Sequence, residues 1–214
     1  GMLEAAPFDV EVADGKAFVK GAPERAVAVA DVAGAIYYDD SVRKDGLETE
    51  LEVTTNYDPA RPLFSNGAHA FVVEVDVETG LVKVERAFAV EDCGTMINPA
   101  VVEGQIRGGM TQGLGAALFE ELVYEESGQL LTTNLADYLV PTMDVVPPFT
   151  FHHIETPSSH SPGGIKGMGE SGLIASPGAM LNAVNDALSP FGVTLRRTPM
   201  TPERILDALA LARS

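Results

Sequence analysis

A single carboxylate, Glu170, stands in the run Gly163-Gly164-Ile165-Lys166-Gly167-Met168-Gly169-Glu170-Ser171-Gly172, with one lysine four positions before it. Glycine lacks a Cβ and tolerates positive φ, so such a run turns sharply and lets a flat or anionic ligand approach peptide N–H groups. A carboxylate held beside that ligand can work as a base. Lys166 next to nested amides would favour an anion, although a solvated loop lysine explains it equally well.

A second glycine cluster lies upstream. Residues Pro99 to Leu122 carry a helical pattern, yet Gly104, Gly108, Gly109, Gly113 and Gly115 fall inside it. Each costs about 0.8–1 kcal/mol relative to Ala, so the set weakens the helix by roughly 4–5 kcal/mol. Close packing against another element would offset that loss, because small residues four apart let backbones approach. A ligand would offset it too. Gln105 and Gln112, seven apart, share one helical face, and their amides can read the edge of a polar heterocycle.

Other chemistries find less support. Gly167 to Gly172 formally matches G-x-G-x-x-G, but Ser161-Pro162-Gly163-Gly164 precedes it where a dinucleotide site needs a buried strand, and Arg196-Arg197 reads as a solvated pair. His152-His153 and His160 have no metal-ligand spacing and read as surface or core histidines, so no residue is assigned to a metal. The serines lack a G-x-S-x-G elbow. Cys93, the single cysteine, excludes an internal disulfide and an iron–sulfur cluster held by this chain alone. It reads as an inert, partly buried thiol in a reducing cytoplasm.

The positioning elements follow from pattern. Phe8 to Val12 and Lys16 to Lys20 flank Asp14-Gly15 as a hairpin, and Ala28 to Tyr38 follows as a short helix with Asp31 as a candidate N-cap. Glu48 to Asn56, Ala70 to Asp76 and Leu81 to Val90 alternate as strands of an antiparallel sheet, with Glu78-Thr79-Gly80 turning the second into the third. Gly128 marks another hairpin, Thr150 to Ile154 a strand, and Val193 to Leu195 a further short one. Glu155 to Gly169 is aperiodic, and loops of that length inside compact domains are commonly functional. Ser176 to Leu188, with Pro177 in its first turn, and a stretch opened by Thr201-Pro202-Glu203 and running to Ala212 are helices. The expected class is α+β, one domain over residues 1–214 with a possible seam near 91–99.

The formal charge of −17 argues against a nucleic-acid partner. No apolar run approaches the roughly 18 residues of a membrane span, and no basic-then-apolar leader is present. Gly1 before Met2 reads as a cleavage remnant.

Taken in order, Glu91-Asp92-Cys93-Gly94-Thr95-Met96-Ile97-Asn98-Pro99, Gly104-Gln105-Ile106-Arg107-Gly108-Gly109, Thr111-Gln112-Gly113-Leu114-Gly115 and Lys166-Gly167-Met168-Gly169-Glu170 resemble the C-terminal part of the molybdenum-hydroxylase large subunit. This is the family of xanthine dehydrogenase, aldehyde oxidase and aerobic carbon monoxide dehydrogenase. The resemblance runs from about Leu3 to the last helix and includes Ser65-Asn66-Gly67-Ala68-His69. It implies a second molybdopterin-binding domain with an antiparallel or mixed sheet and packed helices. It further implies that Gln105 hydrogen-bonds the pterin cofactor, that Lys166, Gly167, Met168 and Gly169 line its site, and that Glu170 is the general base toward a molybdenum-bound hydroxyl during hydroxylation of an aldehyde, an N-heterocycle or CO.

Family large subunits are much longer than this chain. The resemblance therefore implies partners: the preceding molybdopterin-binding part of the large subunit, and subunits or domains carrying FAD and [2Fe–2S]. As an isolated chain it should be inactive. The alternative from another class is an assembly module that keeps the fold without cofactor.

Overall fold

The computed structural model describes residues 2–39, 51–58 and 62–213. Two compact units divide between Asp58 and Pro59. The stretch 91–99 lies inside the second unit.

In the first unit the Asp14-Gly15 hairpin forms as its sequence demands. Strands β1 (Val10–Ala13) and β2 (Lys16–Val19) pair antiparallel, and Asp14 and Gly15 both take positive φ, at 48° and 72°. A strand unread from sequence, β3 (Ala22–Ala28), continues the sheet on the far side of β2. Pro23 masked it, but this is an edge strand, where a missing N–H is tolerated. Helix α1 (Val29–Tyr38) starts after Ala28, which makes no side-chain cap; Asp31 sits in the first turn and is not the cap. Of the expected strand at Glu48 to Asn56, residues 48–50 lie outside the described residues, and 51–56 are irregular backbone with no ladder.

The second unit holds the core. Strands β4 (Asn66–Val75) and β5 (Val82–Asp92) form a long antiparallel pair whose turn is closed by Gly80 at φ 75°. The third strand, β6 (Phe149–His153), pairs with β5 in parallel, so the sheet is mixed and not purely antiparallel. A parallel neighbour needs a crossover, and helix α2 (Pro99–Leu118) with the segment after it provides one. The Gly128 hairpin is reduced to one bridge, Tyr124 to Leu130.

Helix α3 (Ser171–Ile174) is a single turn, followed by α4 (Ser176–Leu188) with Pro177 in its first turn and α5 (Pro202–Ala212), capped by the Thr201 hydroxyl. Val193 to Leu195 is irregular, its Leu195 backbone held by the Asn185 side chain. Ile106, Met110 and Leu114 of α2 meet Met180, Val184 and Leu188 of α4 and Ile205 of α5 in one fully buried cluster. Ala87 and Ala89 of β5 form its floor. Among the described residues no helix is long and apolar enough to cross a membrane.

Candidate functional site

The aperiodic loop is pinned to the end of β5. Asp92 accepts hydrogen bonds from the Gly94 N–H (2.8 Å), the Thr156 N–H (3.1 Å), the Thr156 hydroxyl and the Lys166 ammonium (2.9 Å). Burial pushes the Asp92 carboxyl up, but the four hydrogen bonds outweigh it and hold the group well below the usual carboxylate range. Lys166 also donates to the Thr156 hydroxyl (2.6 Å), and its backbone N–H donates to the Cys93 carbonyl (2.8 Å). Gly94, at φ 67°, lies so close to the Gly164 carbonyl that a side chain there would strike it. Cys93 is buried in this joint, and burial pushes its thiol up, as an inert cysteine requires.

Past the anchor the chain runs bare. Gly167, Met168, Gly169, Glu170 and Ser171 line one side of a cleft of about 250 Å³, facing Leu63, Phe64 and Ser65, with Ile174 at its end. Glu170 is the one acidic side chain on that cleft. It is exposed and stands at the start of α3 without capping it; its carbonyl accepts the Leu173 N–H (2.9 Å).

Four of the five glycines of α2 divide between two faces; the fifth, Gly115, is buried against the Glu120 side chain and Pro141. A Cβ on Gly109 would lie 2.8 Å from the Gly172 backbone, one on Gly113 would strike the Ser176 side chain, and one on Gly172 would lie 2.5 Å from the Ile106 carbonyl. Backbone-to-backbone packing of α2 on α3 and α4 therefore explains these residues. Gly104 and Gly108 are different: a Cβ there meets nothing within 4 Å. At 100° per residue they share a face with Gln105 and Gln112, and all four are exposed. About 2 kcal/mol of helix propensity is thus given up on a bare face that no described residue fills.

Comparison with known proteins shows the family. Residues 1–147 match the family of the molybdopterin cofactor-binding domain. The chain is 56% identical to the nicotine 6-hydroxylase large subunit of Paenarthrobacter nicotinovorans over 97% of its own length and 25% of that protein's. It is 37% identical to the carbon monoxide dehydrogenase large chain of Afipia carboxidovorans over 87% of its length and 23% of the relative's. Among solved structures, quinoline 2-oxidoreductase from Pseudomonas putida 86 superposes with a TM-score of 0.83 at 49% identity, covering 97% of this chain and 26% of that one. The chain belongs to the molybdenum hydroxylase large-subunit family. It spans about a quarter of the length of the relatives it matches.

The geometry of this domain fits a bulky, flat, hydrogen-bonding cofactor of the molybdopterin type. An exposed helix face without side chains at Gly104 and Gly108, carrying two carboxamides, leaves room for a ring system and can pair with its edges. Gly167, Met168, Gly169 and Glu170 come together on the cleft, and Gln105 lies on the helix that α3 packs against. Lys166 is turned to the anchor: its side chain is 13% exposed, and its ammonium spends two of its three N–H donors on Asp92 and Thr156.

Sequence reasoning missed a second set of polar residues. Glu91, 1% exposed, receives the His69 Nε2 at 2.6 Å and the Ser171 hydroxyl, while His69 Nδ1 meets the Ser176 Oγ at 2.9 Å. Gly67, across the ladder from Glu91, is where it is because a Cβ would occupy the carboxylate's place. The signal was the period: Ala87, Ala89 and Glu91 share one face of β5, so a charge falls where the next buried apolar residue belongs. His153 of β6 has both ring nitrogens enclosed without a partner among the described residues, in keeping with a core histidine. Among those residues no cluster of histidine, cysteine and acidic side chains could hold a metal ion.

Proposed function

We propose that this domain forms one wall of the cofactor site in an enzyme that hydroxylates N-heterocycles with oxygen from water, Glu170 acting as general base. One observation carries the assignment: Glu170 is the sole ionisable side chain on a cleft otherwise lined by glycines, apolar side chains and the two serines Ser65 and Ser171. The substrate class rests on similarity, since the relatives named for nicotine and quinoline are 56% and 49% identical and those named for carbon monoxide dehydrogenase 37% and 33%. Aldehydes and CO remain within the family's range.

The molybdopterin cofactor, when bound, supplies the two-electron oxidation. The chain's own residues bind, orient and move a proton. Gln105 offers a donor and an acceptor to the cofactor edge, Gly167, Met168 and Gly169 present backbone without bulk, and the third N–H of Lys166 is the one left for an anionic group. Glu170 takes the proton from the water-derived nucleophile on a carboxylate oxygen. A chain with one cysteine cannot by itself hold an iron–sulfur cluster, so the [2Fe–2S] carriers that take the electrons, with FAD, belong to partner subunits or domains. The remaining three-quarters of the large subunit supplies the opposite wall, so turnover belongs to the assembly and not to this chain alone.

Glu170→Gln in the assembled enzyme tests the reading. Glutamine keeps size and hydrogen-bonding reach but cannot accept the proton, so molybdenum content should match wild type while turnover falls about 10²–10⁴-fold. Near-normal turnover at matched molybdenum would remove Glu170 from the chemistry. An assembly module without cofactor would carry no stoichiometric molybdenum, and it would have no reason to leave Gly104 and Gly108 uncovered.

A further inference from the structure

Glu170 is held by a turn too short to hold itself. Helix α3 has four residues, makes no side-chain cap at its start, and is followed at once by α4. Beside its backbone packing on α2, two side-chain contacts fix it, one from the sheet and one from α4. The Ser171 hydroxyl donates to Glu91 Oε2, and the Gly172 carbonyl accepts the Ser176 hydroxyl at 2.7 Å. His69 joins these two contacts, with Nε2 on Glu91 Oε1 and Nδ1 on Ser176 Oγ. The side chains of His69 and Glu91 are 0% and 1% exposed, so their contact is shielded from water.

Ser176 donates its one hydroxyl hydrogen to the Gly172 carbonyl, and its oxygen lies 2.9 Å from His69 Nδ1. Glu91 spends one oxygen on His69 and the other on Ser171. A buried carboxylate that lost either donor would be left partly unsatisfied, which is far costlier than the net value of one hydrogen bond.

We propose that the buried His69–Glu91 pair is a positioning element that fixes Ser171, and through it the carboxylate of Glu170, relative to the sheet. The proposal rests on the reading of Glu170 as base. Neither His69 nor Glu91 lines the cleft, so both act through Ser171. A displacement of the base by about 1 Å is enough to cost on the order of 10²-fold in rate.

The test uses the assembled enzyme and pairs Ser171→Ala with Ser171→Thr, Glu91→Gln and Glu170→Gln. Ser171→Ala should lower kcat about 10- to 100-fold with KM within twofold and molybdenum content unchanged, and amide hydrogen exchange of residues 169–174 should speed up at least tenfold. Ser171→Thr, which keeps the hydroxyl, should restore both. Glu91→Gln should reproduce the exchange effect even where it weakens the fold. Wild-type kcat and unchanged exchange in Ser171→Ala would overturn the proposal, as would a failure of Ser171→Thr to rescue. Glu170→Gln separates the two ideas: if it is inactive while Ser171→Ala is normal, only the positioning role falls. If Glu170→Gln is active, the base assignment falls whatever Ser171 does.

Discussion

Two adjacent glycines of α2 should respond to substitution with opposite signs. A Cβ on Gly108 meets nothing within 4 Å, whereas one on Gly109 lies 2.8 Å from both the Gly172 carbonyl carbon and the Leu173 nitrogen. Gly108→Ala therefore gains helix propensity of about 0.8–1 kcal/mol without a clash. For a chain of 214 residues that corresponds to a rise in Tm of roughly 2–4 °C. Gly109→Ala forces backbone apart and should cost about 1–3 kcal/mol, outweighing the same propensity gain. Gly108→Leu is the diagnostic variant. Leucine is nearly as good a helix former as alanine, so the separately produced chain should unfold no earlier than wild type. In the assembled enzyme its side chain would intrude on the space that the proposed function gives to the cofactor. Overpacking of about 1–3 kcal/mol there translates into roughly 5- to 150-fold weaker cofactor retention. Thermal denaturation of the chain and molybdenum content of the assembly are the two assays. Gly108→Leu with wild-type molybdenum would show that the bare face looks into solvent, and a Gly108→Ala chain less stable than wild type would show that something in the chain covers it.

Gln105→Ala should be milder than Gly108→Leu, because it removes one hydrogen bond to the cofactor, about 0.5–1.5 kcal/mol, and leaves the helix intact; equal molybdenum occupancy at limiting cofactor would take Gln105 out of the site. Asp92→Asn tests the loop anchor by its pH dependence. The folded-state pKa of Asp92 is lowered, so its stabilising contribution is present above the ordinary carboxylate value of 3.8 and is lost below it, as the unfolded chain takes up the proton first. The stability gap between wild type and Asp92→Asn should therefore hold steady at neutral pH and narrow below 3.8 in urea titrations. A gap that widens on acidification would contradict the anchor.

Elements whose information is local were readable from the sequence. Asp14-Gly15, the Pro177 start of α4 and the Thr201-Pro202 start of α5 each encode a backbone geometry in two or three residues. The parallel pairing of β6 could not be read this way, since nothing in Phe149 to His153 states its direction; that is fixed by where the crossover returns. The loop drew notice because glycine and an isolated carboxylate stand out against their neighbours, and the fold brings Gly167, Met168, Gly169 and Glu170 to one cleft. The split of the α2 glycines was not legible. Gly104, Gly108, Gly109 and Gly113 look alike in sequence, and only the positions of α3 and α4 show which two are packing contacts and which two are open. Lys166 likewise reads as free until Asp92, 74 residues away, is brought to its ammonium.

The polar residues that went unread are the ones expected to matter most for precision. An isolated turn of four residues is unstable, because helix nucleation fixes several dihedrals for one hydrogen bond. Glu170 therefore cannot be oriented by its own helix, and its neighbours Gly167 and Gly169 carry no side chains to lock it. Rigidity must be imported from an element that is itself fixed. The candidates are few: β5 is the central strand, paired on both sides, and Glu91 lies at its end with its side chain in the core. Burying a carboxylate there carries a desolvation cost that a stability argument alone would not justify, since well-packed apolar residues do as well or better. The charge is explained once its second oxygen is seen to reach Ser171, because an apolar side chain at position 91 could fill the same volume and could not hold the turn that carries the base.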